Sequence, residues 1–137
     1  MATAPNQILR IIKNASWYDE NKMEAYAFNM PKDTKMGNKI LILIESTANT
    51  LRSFGSNDAH TVWRTGAIRV FFPDSWEDDY EEINMTIIDE LRLHDFATQQ
   101  WTGPNYTPDT ETIYTRIKYE ITDFKEDIVT YVDKNHG

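Results

Sequence analysis

Lys39-Ile40-Leu41-Ile42-Leu43-Ile44-Glu45 is the stretch on which the fold turns. Five consecutive aliphatic residues lie between two charged ends, and three of the five are isoleucine. Branching at Cβ crowds a helix but suits a pleated strand. A strand that is apolar at every position must be covered on both faces. The run therefore predicts a central strand.

On its C-terminal side, Ser46 to Asp58 is polar and turn-rich, with Asn49, Gly55, Ser56 and Asn57, and reads as a loop. A second strand follows from about His60 to Phe72. By period-two counting Val62, Ile68, Val70 and Phe72 share one side, and Thr61, Thr65 and Arg69 lie on the other. Gly66 marks a bulge or bend. The two strands make a long hairpin with a tip of about a dozen residues, a length at which loops are often functional. Leu51, Arg52 and Phe54 stand in this otherwise polar tip and are candidate partner-binding residues. Trp63 is a fourth candidate. It lies opposite Val62 and Ile68, so it is either under a helix or exposed for a partner.

Pro73-Asp74 ends that strand. Ser75 is a suitable helix N-cap, with Asp78 three residues on. From Trp76 to about Phe96, the residues Trp76, Tyr80, Ile83, Ile87 and Leu91 step by four, three, four and four along one helical face. A short strand, Thr98 to Thr102, carries Trp101. Gly103-Pro104-Asn105 and Pro108-Asp109 mark a loop. Glu111 to Ile121 then alternates: Ile113, Ile117, Tyr119 and Ile121 face one way, and Tyr114, Arg116, Lys118 and Glu120 the other. The charged tail from Asp123 reads as a short extra strand or helix.

On the N-terminal side, Glu24 to Met30 reads as a strand that stops at Pro31, and Lys32 to Asn38 as a turn. Before it, Ile8, Leu9, Ile11 and Ile12 form an apolar stripe in a helix from about Asn6 to Asn14, with Pro5 suited to its first turn. The order is α-β-β-β-α-β-β. It predicts one α+β domain, residues 1–137, with a mainly antiparallel sheet and two helices packed on it.

Composition narrows the function. The chain has 22 acidic and 14 basic residues, a formal net charge of −8. Duplex-binding proteins usually present a basic face, so direct, tight binding to nucleic acid is not expected. There is no cysteine, which removes thiolate metal sites, disulfides and thiol nucleophiles. The longest apolar run is five residues, against the roughly 20 that a bilayer span needs, so no membrane association is expected.

Each candidate for chemistry has a plainer explanation. Glu77-Asp78-Asp79-Tyr80-Glu81-Glu82 fits the first turns of a helix, where carboxylates meet the positive end of the dipole. His60, His94 and His136 are far apart and match no ligand spacing. Pro73-Asp74 with Asp123-Phe124-Lys125 superficially matches a metal-dependent nuclease pattern, but a helix and two strands separate its halves. No nucleophile elbow and no phosphate loop occurs. The Asn-x-Ser/Thr triplets at Asn14, Asn84 and Asn105 lack a secretory signal and read as chance matches. The expectation is a binding protein without catalytic residues, metal or cofactor.

Several strings resemble one family. They are Asn6-Gln7-Ile8-Leu9-Arg10-Ile11-Ile12; Tyr26-Ala27-Phe28-Asn29-Met30-Pro31-Lys32; Ile40 to Glu45; Val70-Phe71-Phe72-Pro73 leading to a long helix; and Thr107-Pro108-Asp109-Thr110 before an alternating strand. Together they span residues 6 to 122. The chain resembles the tail-terminator (tail-completion) proteins of long-tailed bacteriophages of Gram-positive bacteria. The resemblance implies an α+β protomer and a homo-oligomeric ring, a hexamer in that family. It implies a seat on the head-proximal end of the tail tube in the virion, after assembly in the host cytoplasm. The implied partners are the tail tube protein and the head connector, or stopper; DNA passes through the bore without specific binding. A head-completion or stopper subunit, or another small interaction module, is the alternative.

Overall fold

The computed structural model describes residues 3–29, 39–52, 61–73, 80–107 and 112–124. In chain order the elements are α1 (Ala4–Asn14), β1 (Met23–Ala27), β2 (Ile40–Arg52), β3 (Thr61–Phe72), α2 (Tyr80–Leu93), β4 (Ala97–Thr107) and β5 (Thr112–Phe124). This is the expected α-β-β-β-α-β-β order of an α+β domain. The five strands form one sheet in the order β1-β2-β3-β5-β4. Every pairing is antiparallel except β1 with β2, which is parallel. A parallel pair cannot be closed by a tight turn, and residues 28–39 provide the crossover length it requires.

The aliphatic run sits at the centre. Ile40, Ile42 and Ile44 point to the face that carries the helices and are almost fully buried there. Across the ladder Ile42 and Ile44 meet Val70 and Ile68 of β3, and Phe72, Val70 and Ile68 meet Ile113, Thr115 and Ile117 of β5. α1 closes this face over β1 and β2 with Ile8 and Ile12; α2 closes it over β4 and β5 with Ile87, Ile88 and Leu91. Each such side chain contributes roughly 1.5–3 kcal/mol by leaving water. Leu41, on the opposite face, is also buried, while Leu43 is half-buried. β2 is thus covered on both sides at its start, as its composition requires.

One buried polar contact joins a helix to the sheet. Asn84 of α2 is fully buried, and the Thr115 hydroxyl donates to its side-chain oxygen at 2.8 Å. Burial at that position also keeps the Asn84-Met85-Thr86 triplet from accepting a glycan.

Helix ends differ from expectation by a few residues. α1 begins at Ala4 because Thr3 caps it, accepting from the Asn6 N–H at 3.4 Å. α2 stops at Leu93 rather than Phe96. Asp95 takes a left-handed conformation (φ 68°), its N–H donates to the Arg92 carbonyl, and the Phe96 N–H donates back to the Leu91 carbonyl. That is a Schellman closure, with Leu91 and Phe96 supplying the buried apolar contact.

Four strand boundaries are corrected. β1 ends at Ala27, not Met30, since Phe28 is left-handed (φ 72°) and donates its N–H to the Ile44 carbonyl. Ser46 to Arg52 is not loop but the second half of β2, paired with β3 as far as Arg52 opposite Thr61. The polarity of Ser46 to Asn49 is that of an exposed strand, and a bulge between Ser46 and Ala48 absorbs one extra residue. Gly103-Pro104-Asn105 is likewise inside a strand, β4, where the register shifts between Thr102 and Asn105. β4 is an edge strand, so Pro104 can lack an N–H without breaking the ladder. The Gly103–Pro104 peptide is cis. β5 runs on to Phe124, past the expected end at Ile121. Trp76, the Ser75 cap, the turn at Lys32 to Asn38 and the tail from Lys125 lie outside the described residues.

Candidate functional site

Alternate residues of β3 and β5 point away from the helices and meet on the sheet's second face. The ladder sets Thr65 opposite Glu120, Ala67 opposite Lys118, Arg69 opposite Arg116 and Phe71 opposite Tyr114. No described helix lies over this face. Thr47, Trp63, Thr65, Arg116, Lys118 and Glu120 line an open cleft of about 440 Å³ on it.

The cleft walls are held by side-chain contacts between strands. The Trp63 indole N–H donates to Glu120 Oε2 at 3.3 Å, which fixes the ring across β3 and β5. The hydroxyls of Thr47 and Thr65 lie 3.0 Å apart and tie the bulge of β2 to β3. Beyond them Arg69 Nε stands 3.1 Å from Glu45 Oε1, an ion pair whose N–H direction departs from hydrogen-bond alignment. The rings of Phe71 and Tyr114 stack at 5.6 Å, tilted by 39°. Arg116 is half-buried and Lys118 exposed, and neither forms an ion pair or hydrogen bond with another described residue.

Below the cleft, Gly66 is a crossing point. Tyr119, its neighbour on β5, reaches over it and donates to the Glu45 carbonyl of β2 at 2.8 Å. A Cβ on Gly66 would collide with that carbonyl and with the Tyr119 hydroxyl and ring. The glycine is therefore needed for close approach, and the bulge expected near it lies on β2 instead. Phe96 packs edge-on against the Tyr119 ring at 5.9 Å. Burial raises the Tyr119 hydroxyl well above its ordinary range; Glu45 adds to this and the Arg64 charge opposes it. The hydroxyl thus remains a neutral donor at any physiological pH.

Leu51 and Arg52 are strand residues, opposite Val62 and Thr61. Phe54 lies outside the described residues. Of the candidates whose side chains are described, Trp63 lines the cleft. The alternation of β5 puts Arg116, Lys118 and Glu120 on one side of their strand. Their neighbourhood with Trp63 depends on β5, not β4, lying next to β3.

Few of the other candidates for chemistry are among the described residues. His94 is exposed at the end of α2, and His60 and His136 lie outside the described residues. So do Asp74 and Lys125 of the nuclease-like pattern, and Glu77-Asp78-Asp79. Glu81 and Glu82 are exposed at the start of α2. Among the described residues no three His, Asp or Glu side chains converge as a metal site would need. Among them, too, no helix is long and apolar enough to cross a membrane. No protein-family model matches the chain, and neither does any curated protein.

Proposed function

We propose that the chain is a structural assembly protein of a long-tailed bacteriophage, a tail terminator. Copies of it form a ring on the head-proximal end of the tail tube, stop tube elongation and offer a docking surface to the head connector. One observation supports this reading most: the sheet is closed by helices on one face, while the other holds a half-buried Trp63 beside two cations without partners among the described residues. Aromatic and arginine side chains on an uncovered face are the composition of a protein–protein interface. The α+β fold also agrees with the protomer that the sequence resemblance implies. A net charge of −8 suits a bore that DNA must cross without sticking. The reading includes no catalytic residue and no cofactor.

The test is electron microscopy of particles assembled without this protein. Tails of uncontrolled length are the expected result. Tails of normal length beside empty or leaking heads would assign the protein to the head connector instead.

A further inference from the structure

We infer that the cleft around Trp63 receives the solvent face of α2 from a second copy of this chain, and that this contact is the repeating joint of the ring. The inference deepens the proposed function and rests on it. Two surfaces of the same molecule carry complementary chemistry. The first is the cleft, with the Trp63 ring and the Arg116 and Lys118 cations, which have no described partner. The second is the side of α2 turned away from the core. Met85, Asp89 and Leu93 follow one another at four-residue steps, and Glu82 lies beside them. Met85 is 44% exposed and Leu93 77%, among the few large apolar side chains so exposed in the described residues. Asp89 and Glu82 are exposed as well.

Apolar and acidic groups therefore alternate along this ridge. That is the complement of a cleft in which the Trp63 ring, with Glu120 on its N–H, is followed along the strands by Lys118 and then Arg116. The two carboxylates stand about 10 Å apart along the helix axis. The two cations stand about 7 Å apart along their strand. Long Arg and Lys stems absorb a difference of that size. Because each copy is strongly acidic, most mutual orientations repel. An orientation that brings the α2 ridge onto the cations is selected by charge, while Trp63, Met85 and Leu93 supply the apolar contact. The two surfaces are different, so the contact is heterologous. Repeated from copy to copy, it closes into a ring if the rotation allows.

Charge reversal with complementation tests this, using the full chain and sedimentation velocity beside a melting curve for each variant. Arg116→Glu with Lys118→Glu makes cleft and ridge both acidic. Glu82→Lys with Asp89→Lys makes both basic. Each variant alone is expected to lose the oligomer, with association weakened on the order of tenfold or more. An equimolar mixture is expected to regain it, because every joint then pairs opposite charges. A variant that had merely misfolded could not be rescued in this way. If either variant assembles like the unmodified chain, the inference fails while the ring reading stands. If the mixture stays monomeric although both variants melt normally, the inference fails as well. An unmodified chain that is monomeric at every concentration also overturns it. The tail-length experiment then judges the functional reading separately.

Discussion

On β3, Ile68 and Val70 are fully buried under the helices, whereas Arg69 between them points to the other face and is 43% exposed at its side chain. The same alternation runs along β5, from buried Ile117 to exposed Lys118. One face is held mainly by apolar area, with Thr115–Asn84, the Tyr119 hydroxyl, buried Arg64 and the Arg92 bond to the Thr98 carbonyl as polar contributions among the described residues. The other is held by pairwise polar contacts between strands, each worth at most about 1 kcal/mol where water reaches it. The lesson is a division of labour within single strands. Substitutions on the helix face should change folding, and those around the cleft should change association.

The largest effect is expected on the helix face. Ile87→Ala removes a side chain that is fully buried between α2 and the sheet. It should lower stability by about 2–5 kcal/mol, the cost of lost transfer energy plus a cavity. The outer-face counterpart, Lys118→Ser, should stay within about 0.5 kcal/mol. Urea denaturation of both variants checks the pair. Similar losses for the two would erase the distinction between the faces.

Gly66→Ala should come next, with a loss of about 1–3 kcal/mol, since the new methyl must displace either backbone or the Tyr119 ring. Tyr119→Phe in the same background sharpens the reading. If the ring is the obstacle, removing its hydroxyl relieves part of the collision, and the double variant should lose less than the sum of the singles. Strict additivity would place the strain in the β2 backbone.

Thr115→Val keeps the volume of the side chain but deprives buried Asn84 of a donor. A loss of about 1–2 kcal/mol is expected, with the lower end applying if the remaining contacts of Asn84 compensate. A thermal melt that does not move would mean that this polar pair contributes nothing net to the apolar face.

Much of this layout can be read from the chain, for reasons that also explain the gaps. Ile40 to Ile44 and the alternation of β5 declare themselves because burial demands apolar residues at a fixed period. The second half of β2 does not. A strand exposed to water carries the same Ser, Thr and Asn as a loop, and only its pairing with β3 distinguishes it. Gly103 and Pro104 punctuate most strands, yet an edge strand tolerates them. The cleft was half legible. Trp63 and the side of β5 bearing Arg116 and Lys118 were both identified, but each alone is an ordinary surface. They become a site because β3 and β5, some fifty residues apart in sequence, are neighbours, with β4 outermost. Leu51 and Phe54 are conspicuous as apolar residues in a polar stretch, and they would be so whether that stretch is loop or strand.

The smallest expected effect tests whether the outer face adds anything to folding where it meets the parallel edge. Glu24 of β1 accepts from the Tyr26 hydroxyl at 2.6 Å and from Lys39 Nζ at 3.0 Å, joining the edge strand to the residue that precedes β2. The Tyr26 hydrogen bond, followed by that from Lys39, lowers the Glu24 pKa from its ordinary value of 4.5. A carboxylate whose pKa is depressed by folding stabilises the fold when ionised. Its contribution is thus complete at neutral pH, begins to fall as pH drops below about 4.5, and is gone once the folded-state pKa has been passed. Glu24→Gln should therefore be slightly less stable than the unmodified chain at pH 7, and the gap should close on acidification. Both partners are partly exposed, so the gap should also shrink in high salt. Denaturation midpoints of the two proteins, measured from pH 7 to pH 3 at low and high salt, give the answer. A gap that is constant with pH would mean that Glu24 acts by packing rather than by charge. A gap that widens in acid would reverse the sign of the argument and show that the carboxylate is better tolerated protonated.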